Sequence, residues 1–217
     1  MKKYGLLAVV MLLSSCVVET SGPRPTPVDP QQALEQRVSL ARQYIGSGDW
    51  ENAKRHLEMA AAIDGDNADV LEAFALVFQS TGEFERAEES FDAALAAGGG
   101  SRARNNYAAY LYSQGRYSDA AREFRAVTAD MLYSGRPRAF TNLGLALLQI
   151  DQSSAAKSAF TRALMMDPND STALLELTQI ALTEGEVTAA SGYYHDYRAG
   201  VRRQTARALL LGVEIAR

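Results

Sequence analysis

The feature that most constrains the fold of this chain is a segment that recurs every 33 or 34 residues. The stretches GDWENAKRHLEMA, GEFERAEESFDAAL and GRYSDAAREFRAV begin at Gly48, Gly82 and Gly115, which places them 34 and 33 residues apart. Each copy has a glycine, an aromatic residue two positions later, and apolar residues at the spacing of one helix face. Because a unit of this length cannot bury its apolar face alone, neighbouring copies must stack on one another.

Two further copies continue the repeat towards the C-terminus. Their template residues are Leu143, Gly144, Ala156, Phe160, Ala163 and Pro168 in the fourth copy, and Leu177, Gly185, Ala190 and Tyr194 in the fifth. The five copies resemble tetratricopeptide repeats, in which L-G-x2-Y, A-x3-F and P recur at a period of about 34 residues. The sequence therefore predicts an all-α fold, a right-handed superhelix of antiparallel helix pairs. It is expected to span residues 31–217 as five repeats and a terminal capping helix.

The template assigns packing roles to the aromatic residues and surface roles to many acidic ones. The aromatic residues predicted to fill the core between helix pairs are Trp50, Phe84, Phe91, Tyr117, Phe124 and Phe160. Acidic residues of the second helices, Glu88, Glu89 and Glu123, are predicted to lie on solvated faces. Packing alone therefore accounts for the repeated pattern, and no reactive group is required.

The N-terminus has the layout of a secretory signal. Lys2 and Lys3 precede the apolar run YGLLAVVMLL, which is about half the ~20 residues that a membrane-spanning helix needs. The last leucine of this run begins the motif LSSC, which ends at Cys16, the only cysteine of the chain, and which resembles a bacterial lipobox. This resemblance implies a lipoprotein signal peptide over residues 1–15, which is removed, and acylation of Cys16. A plain signal peptide with an incidental cysteine is the alternative.

Residues 16–30 contain four of the six prolines and no apolar periodicity, so they are predicted to form an extended tether behind the acylated cysteine. Two or more acyl chains on Cys16 would anchor the protein stably in a bilayer. Val17, rather than an aspartate, follows the cysteine, and this resembles lipoproteins that are sorted to the outer membrane. We therefore expect a lipid-anchored protein of the outer membrane.

Charge and motif content exclude several classes of function. The net charge is −4, and the mixing of basic with acidic residues does not give the basic surface that nucleic-acid binding needs. His56 and His195 have no neighbouring histidine or cysteine at metal-ligand spacing, and the chain has no GxSxG nucleophile motif. We therefore expect a protein-binding chain that is not an enzyme, with no catalytic residue, metal, cofactor, small-molecule substrate or nucleic-acid partner.

The first helix of each repeat, the A helix, is expected to line a concave surface that binds a protein partner. The residues predicted to contact that partner are Arg102, Asn105, Tyr112, Arg138, Leu145, Leu148, Leu175 and Leu182. The four leucines would form an exposed apolar patch, and the arginines and asparagine would pair with polar groups of a bound peptide. Packing of the leucines against neighbouring helices is the alternative.

The spacing between the third and fourth repeats is longer than the others. Ala108 and Gly144 are 36 rather than 34 residues apart, and the two extra residues fall in TADMLYSGRPR. Gly135 and Pro137 exclude a continuous helix there. An irregular loop on a repeat array is often a contact site; a harmless insertion is the alternative.

Three segments carry a more specific resemblance: NNYAAYLYSQGRYSDA, TADMLYSGRPRAFTNLGLALLQ and ARALLLGVEIAR. With the LSSC motif and the tether, they resemble the type IV pilus biogenesis and stability lipoproteins, the PilF/PilW or pilotin family. The resemblance implies a lipoprotein on the periplasmic face of the outer membrane that binds pilus secretin subunits and helps them to localise or assemble. Pilus biogenesis and twitching motility would depend on it. A lipidated scaffold for outer-membrane protein assembly, or a regulator of a peptidoglycan enzyme, is the alternative.

Overall fold

The computed structural model describes residues 29–217, which form eleven α-helices and no β-strand. The helices are α1 (Pro30–Ser47), α2 (Trp50–Ala61), α3 (Ala68–Thr81), α4 (Phe84–Ala96), α5 (Gly100–Ser113), α6 (Tyr117–Ala129), α7 (Arg136–Leu148), α8 (Ser153–Met166), α9 (Ser171–Thr183), α10 (Val187–Gly200) and α11 (Ala206–Ile215). Cys16, the signal segment and nearly all of the tether lie outside the described residues, so their assignments remain predictions.

Ten of these helices form five pairs, and each pair is one repeat. Within a repeat, the odd-numbered A helix packs along the even-numbered B helix that follows, and the short connection makes the two antiparallel. Successive repeats stack through contacts of each B helix with the next A helix and between A helices such as α1 and α3. The last helix, α11, packs against α9 and α10. The prediction of an all-α array of antiparallel helix pairs is confirmed.

Side-chain caps fix where several helices begin. Asp29, Asp49, Asn67, Asp170 and Thr205 each accept a hydrogen bond from a backbone N–H in the first turn of the helix that follows. Each cap satisfies a donor that has no partner inside the helix and contributes roughly 1 kcal/mol. Four of the five caps, those of α1, α3, α9 and α11, stand at the start of odd-numbered helices.

The turn between the two helices of a repeat requires a left-handed residue. Gly48 ends α1 with φ 76°, and its N–H donates to the carbonyl of Ile45. In the fourth repeat Asp151 occupies this position with φ 59°, the only non-glycine residue between 29 and 217 with a positive φ. A residue with a Cβ atom is disfavoured there by about 1 to 2 kcal/mol. The fourth turn is therefore less favourable than the turns that use glycine.

The core lies between the A and B helices and contains one fully buried large apolar side chain from each of the first four repeats. Phe91, Phe124 and Phe160 are fully buried and belong to one continuous apolar cluster that runs from α3 to α9. Leu57 fills the corresponding place in the first repeat. Small alanines lie beside these rings in the same cluster, so the helices can approach closely.

The prediction that every repeat aromatic lies in the core was wrong for the first residues of the B helices. Phe84 is 47% exposed, and Trp50 and Tyr117 are half-buried. Each is the first residue of its helix, where fewer neighbouring side chains cover the ring. Tyr117 packs edge-on against Tyr112 of α5 instead, with ring centroids 5.1 Å apart.

One acidic residue was also predicted wrongly. Glu123 of α6 is buried rather than solvated, and its carboxylate accepts hydrogen bonds from Arg104 Nη1 at 2.7 Å and Arg122 Nε at 3.0 Å. A carboxylate in this position needs such partners, because an unpaired buried charge is costly. Glu89 is exposed as predicted, whereas Glu88 is half-buried and pairs with Arg116 of the next repeat.

Candidate functional site

The A helices, which line the concave side of such solenoids, contain three adjoining clefts around α5, α7 and the start of α9. The first, of about 460 Å³, is lined by Asn105, Asn106, Tyr133, Pro137, Arg138 and Asp167 among others. The second, of about 390 Å³, lies between α7 and the start of α9. The third is a hollow of about 90 Å³ lined by Ala109, Tyr112, Phe124, Asn142 and Leu145.

Shared residues join these clefts into one surface. Arg138 and Asp167 line both larger clefts, and Asn142 and Leu145 line both the second cleft and the apolar hollow. We call the three joined clefts the central groove. It combines a polar end near α5 with an apolar hollow whose floor is the buried ring of Phe124. This mixture suits a peptide that needs both backbone partners and side-chain burial.

The central groove contains four of the eight residues predicted to bind a partner. Asn105 and Arg138 lie at its polar end, and Tyr112 and Leu145 line its apolar hollow. These four come from two A helices, α5 and α7. Their assignment to a binding surface remains a prediction, which the geometry of one continuous groove supports.

The other three predicted leucines do not line any of the clefts described above. Leu148, Leu175 and Leu182 are half-buried rather than turned fully to solvent. Leu148, like Leu145, packs against the main apolar cluster, and Leu175 packs against a smaller cluster around Tyr197. Neighbouring core side chains therefore cover part of the expected apolar patch, as the packing alternative anticipated.

The eighth predicted residue, Arg102, is held by a charged network that the repeat template did not indicate. Glu72 of α3 is only 1% exposed, and its carboxylate accepts hydrogen bonds from Arg42 Nη2 at 3.0 Å and Arg102 Nε at 2.9 Å. Asn106 Nδ2 donates to the same carboxylate at 2.6 Å. Arg42 and Arg102 also pair with Asp69. The network ties α1, α3 and α5 together across the concave side.

The charges of this network shift the ionisation of its members. Burial alone would raise the pKa of Asp69, but the hydrogen bond from Arg102 and the charge of Arg42 outweigh it and hold the pKa below its ordinary value. Burial alone would lower the pKa of the Arg102 guanidinium as well. The hydrogen bonds and charges of Glu72 and Asp69 outweigh burial and raise that pKa above its ordinary value. Both groups are therefore ionised in mutual contact, and Arg102 is a structural rather than a free cation.

A second network of the same kind lies at the other end of the array. Glu176 of α9 is buried, and its carboxylate accepts hydrogen bonds from Arg207 of α11 at 2.5 and 2.8 Å. The carboxylate of Glu176 raises the pKa of the Arg207 guanidinium. The arginine follows its glutamate by 31 residues here and by 30 residues in the Glu72–Arg102 pair. That offset, from one A helix to the next, is the sequence signal that would have identified both pairs.

The polar end of the central groove contains groups without partners. The Oδ1 atom of Asn105 is buried and accepts no hydrogen bond. Arg138, in the first turn of α7, is exposed and forms no ion pair or side-chain hydrogen bond within the described part of the chain. Tyr133 lines the same cleft, and burial raises the pKa of its hydroxyl. The tyrosine therefore stays neutral beside Arg138.

The α6–α7 loop, predicted as a contact site, has two different faces. Tyr133 lies in the central groove, whereas Met131 and Leu132 are 78% and 95% exposed. Nearby, Phe140 of α7 and Met165 of α8 line a separate cleft of about 310 Å³, together with Arg162. The loop thus contributes to the groove and also exposes apolar side chains away from it.

A wider cleft of about 540 Å³ lies at the first repeat. It is lined by residues of α1 and by Asn67 and Asp69 at the start of α3, and Arg42 is among them. None of the predicted partner-binding residues lines this cleft. Since Arg42 and Asp69 also belong to the Glu72 network, much of its charge is already paired.

The side chains of residues 29–217 do not offer a metal centre or a membrane-spanning element. No cluster of histidine, cysteine and acidic residues that could hold a metal occurs there. No helix of this part of the chain is both long and apolar enough to cross a bilayer. His56 is buried and stacks on Tyr44 with ring centroids 5.4 Å apart, which is a packing role, and His195 is exposed.

Helix pairs in tandem with a groove along the A helices are typical of a tetratricopeptide repeat protein, and a tetratricopeptide repeat family profile matches residues 72–133 and 141–210. The chain is 36% identical over 209 residues to the type IV pilus assembly protein PilF of Pseudomonas aeruginosa, a match that covers 94% of this chain and 82% of the relative. The chain therefore belongs to the PilF family of tetratricopeptide repeat proteins, and the predicted family resemblance is confirmed.

Solved structures agree with this assignment. The chain superposes on the structure of P. aeruginosa PilF with a TM-score of 0.83 at 36% identity, covering 86% of this chain and 84% of that one. The structure of PilW, described as a widely conserved type IV pilus biogenesis factor, matches with a TM-score of 0.74 at 27% identity and covers 85% of both chains. YrrB, a tetratricopeptide protein with a peptide-binding site, shares the fold at 15% identity, with a TM-score of 0.64 and coverage of 85% of this chain and 97% of that one.

Proposed function

We propose that this chain is an outer-membrane lipoprotein that acts as a non-enzymatic scaffold in type IV pilus biogenesis. In this role it binds subunits of the pilus secretin and helps them to localise or assemble, as a pilotin does. Cys16 carries the lipid, and the tether lets the repeat array reach a partner at the periplasmic face of the membrane. The central groove is the surface that contacts the secretin.

The observation that carries this proposal is the relationship to PilF over 94% of the chain, in a sequence that also has a lipobox-like LSSC motif. Two features of the fold support a binding role. The groove joins polar and apolar clefts from the third repeat to the start of the fifth, and its polar end has a buried acceptor without a partner. Extended grooves of this kind suit peptides rather than small substrates.

The test is capture of the secretin by the full-length, lipidated chain from detergent-solubilised outer membranes. We expect the wild-type chain to retain the secretin and a cell lacking the chain to assemble fewer secretin multimers. Asn142→Arg should reduce capture, because it places a long charged side chain where two clefts meet. Ser118→Arg, the same change of charge on an exposed position of α6, is the matched control.

The anchor is tested separately with Cys16→Ser. We expect that variant to lose palmitate labelling and to leave the outer-membrane fraction, since Cys16 alone is predicted to carry the acyl chains. Capture of barrel-assembly proteins or of cell-wall synthesis enzymes in place of the secretin would overturn the pilotin role in favour of the alternatives. Persistent membrane association and labelling of Cys16→Ser would overturn the lipoprotein assignment.

A further inference from the structure

The two edges of the repeat array expose different side chains. Because the A and B helices are antiparallel, the starts of the A helices, the ends of the B helices and the connections between repeats lie along one edge, which we call the connecting edge. The turns within the repeats lie along the opposite edge. The three most exposed large apolar side chains of residues 29–217 are all on the connecting edge: Met131, Leu132 and Met165, at 78%, 95% and 79% exposure. These side chains protrude from the surface and do not line a concave cleft.

Unpaired positive charge lies beside them. Phe140 is almost fully buried beneath a cleft of about 310 Å³, and the guanidinium groups of Arg136 and Arg162 lie 5.4 and 5.8 Å from the centre of its ring. Arg136 Nε donates to the carbonyl of Thr128 at the end of α6, where the α6–α7 loop begins. Within residues 29–217 the ion pairs of α8 are those of Lys157, so the exposed Arg162 has no acidic partner.

Acidic residues distinguish this part of the connecting edge from the rest. Asp130 accepts hydrogen bonds from a hydroxyl of α5 and from a backbone N–H of its own loop, and Asp167 accepts one from a backbone N–H two residues later. The connection between the first two repeats exposes Ile63 as well, but the exposed and unpaired carboxylates of Asp64 and Asp66 follow it. An anionic surface would repel that connection and attract the edge of α7 and α8.

The predicted tether joins the array at the same edge. Since α1 is an A helix, its cap Asp29 and its first residue Pro30 lie on the connecting edge. Cys16 precedes Asp29 by 13 residues, and an extended chain of that length reaches on the order of 40 Å. The opposite edge is farther away by one helix length, about 20 Å. A lipid on Cys16 therefore keeps the connecting edge closer to the bilayer than the opposite edge.

Taking the proposed lipid anchor as its basis, we propose that the connecting edge from α6 to α9 docks on the anionic phospholipid surface of the membrane that holds the anchor. The side chains of Met131, Leu132 and Met165 enter the boundary between the headgroups and the acyl chains. Arg136 and Arg162 bind lipid phosphates. With the helix ends on the membrane, the helix axes point away from it, and the central groove opens sideways along the membrane.

The first experiment places a fluorescent reporter on each edge of the lipidated full chain. Acylation occupies Cys16, the only native cysteine, so an introduced cysteine is the only free thiol. Leu132→Cys and Gln114→Cys, at exposed positions of the connecting and the opposite edge, are labelled with the dye NBD and reconstituted in vesicles of phosphatidylethanolamine and phosphatidylglycerol. We expect the emission at Leu132→Cys to shift to the blue and to be quenched by nitroxide-labelled lipids. The emission at Gln114→Cys should show neither change.

Several results of this experiment would overturn the proposal. Equal quenching of the two probes, or quenching of neither, would show that no edge prefers the bilayer. A blue shift at Leu132→Cys that rises with protein concentration and is not quenched by nitroxide lipids would show that a second copy of the chain covers the edge. A blue shift that requires added secretin would show that a protein covers it.

The second experiment changes the docking residues and reads the probe at Met165→Cys. Leu132→Asp should abolish most of the quenching, because a charge is costly to place among acyl chains, and the exposure of Leu132 means that the fold should tolerate the change. Arg162→Gln should lower the ratio of docked to undocked chain about 5-fold, which corresponds to the ~1 kcal/mol that one arginine contributes at an anionic surface. Arg55→Gln, at an exposed arginine of the first repeat, is the matched control and should not lower the ratio.

The lipid composition provides a further control. With phosphatidylcholine in place of phosphatidylglycerol, Arg162→Gln and wild type should give the same ratio, since the anionic headgroups are gone. Quenching that is unchanged in Leu132→Asp, or an effect of Arg162→Gln that is the same in both kinds of vesicle, would refute the docking.

The outcomes separate this inference from the proposed function. If the chain is labelled with palmitate and captures the secretin, but the probe at Leu132→Cys is not quenched, the docking edge is wrong and the lipoprotein scaffold stands. If Cys16 carries no lipid and the probe is still quenched by anionic vesicles in a Cys16→Ser chain, the docking edge stands and the lipoprotein assignment is wrong.

Discussion

Replacing Glu72 by glutamine tests whether the charged network on the concave side holds the first three repeats together. The substitution keeps the shape of the side chain and a hydrogen-bond acceptor for Asn106, but it removes the charge that pairs with two arginines. Breaking a fully buried ion pair costs about 3 to 5 kcal/mol. The side chains of Arg42 and Arg102 are 31% and 43% exposed, so they regain some hydration, and we expect about 2 to 3 kcal/mol.

For a chain of this size, each kcal/mol lowers the melting temperature by about 2 to 4 °C, so Glu72→Gln should lower it by roughly 4 to 12 °C. Glu89→Gln, the same substitution at an exposed site on α4, should stay within about 0.5 kcal/mol of wild type. Because Glu72 joins α1 to α5, amide exchange in α1 should accelerate more than exchange in α9. Equal melting temperatures for the two variants would refute the structural role of the network.

Three further substitutions test packing, turn geometry and ionisation. Gly144→Ala would place a methyl group 2.5 Å from the nearest ring carbon of Phe160 in α8 and should lower the free energy of unfolding by about 1 to 3 kcal/mol in urea titrations. Gly192→Ala, with open space around it, should not. Asp151→Gly should raise the melting temperature, because it relieves about 1 kcal/mol of left-handed strain. Asp69 has a lowered pKa when folded, so its contribution is complete above its ordinary pKa and is lost as the pH falls through the lowered value. The stability gap between wild type and Asp69→Asn should therefore stay constant above about pH 5 and shrink as the pH falls below about 4, and a gap that stays constant or widens in acid would contradict the pairing with Arg102.

The repeat template predicted the fold because its residues are those that make equivalent packing contacts in every repeat. Alanines at the helix crossings and the rings of Phe91, Phe124 and Phe160 recur at a fixed spacing, since each must fit the same gap between two helices. Phe84 did not follow this rule, although it stands at the template position, because a side chain at the start of a helix has neighbours on fewer sides. The template thus predicts backbone geometry more reliably than it predicts burial at helix ends.

The site was harder to predict, because it depends on interactions that differ from repeat to repeat. A glutamate on a helix surface is usually solvated, and only the presence of an arginine 30 residues later shows that Glu72 is buried and bound. The sequence therefore suggested Arg102 as a free cation, when its charge is already paired. The location of the clefts also depends on the angle between successive repeats, and the spacing of residues in the sequence does not determine that angle.

The two glutamate networks distribute the charged contacts unevenly along the array. Charged bonds join α1, α3 and α5 at one end, and α9 to α11 at the other. Among the described residues, no ion pair joins α5 to α7, and the side-chain link between α7 and α9 is the hydrogen bond from the Thr141 hydroxyl to Asp170. The joint at α7 therefore depends on apolar packing, which continues from α3 to α9. High salt should weaken the charged joints at the two ends more than it weakens this central joint.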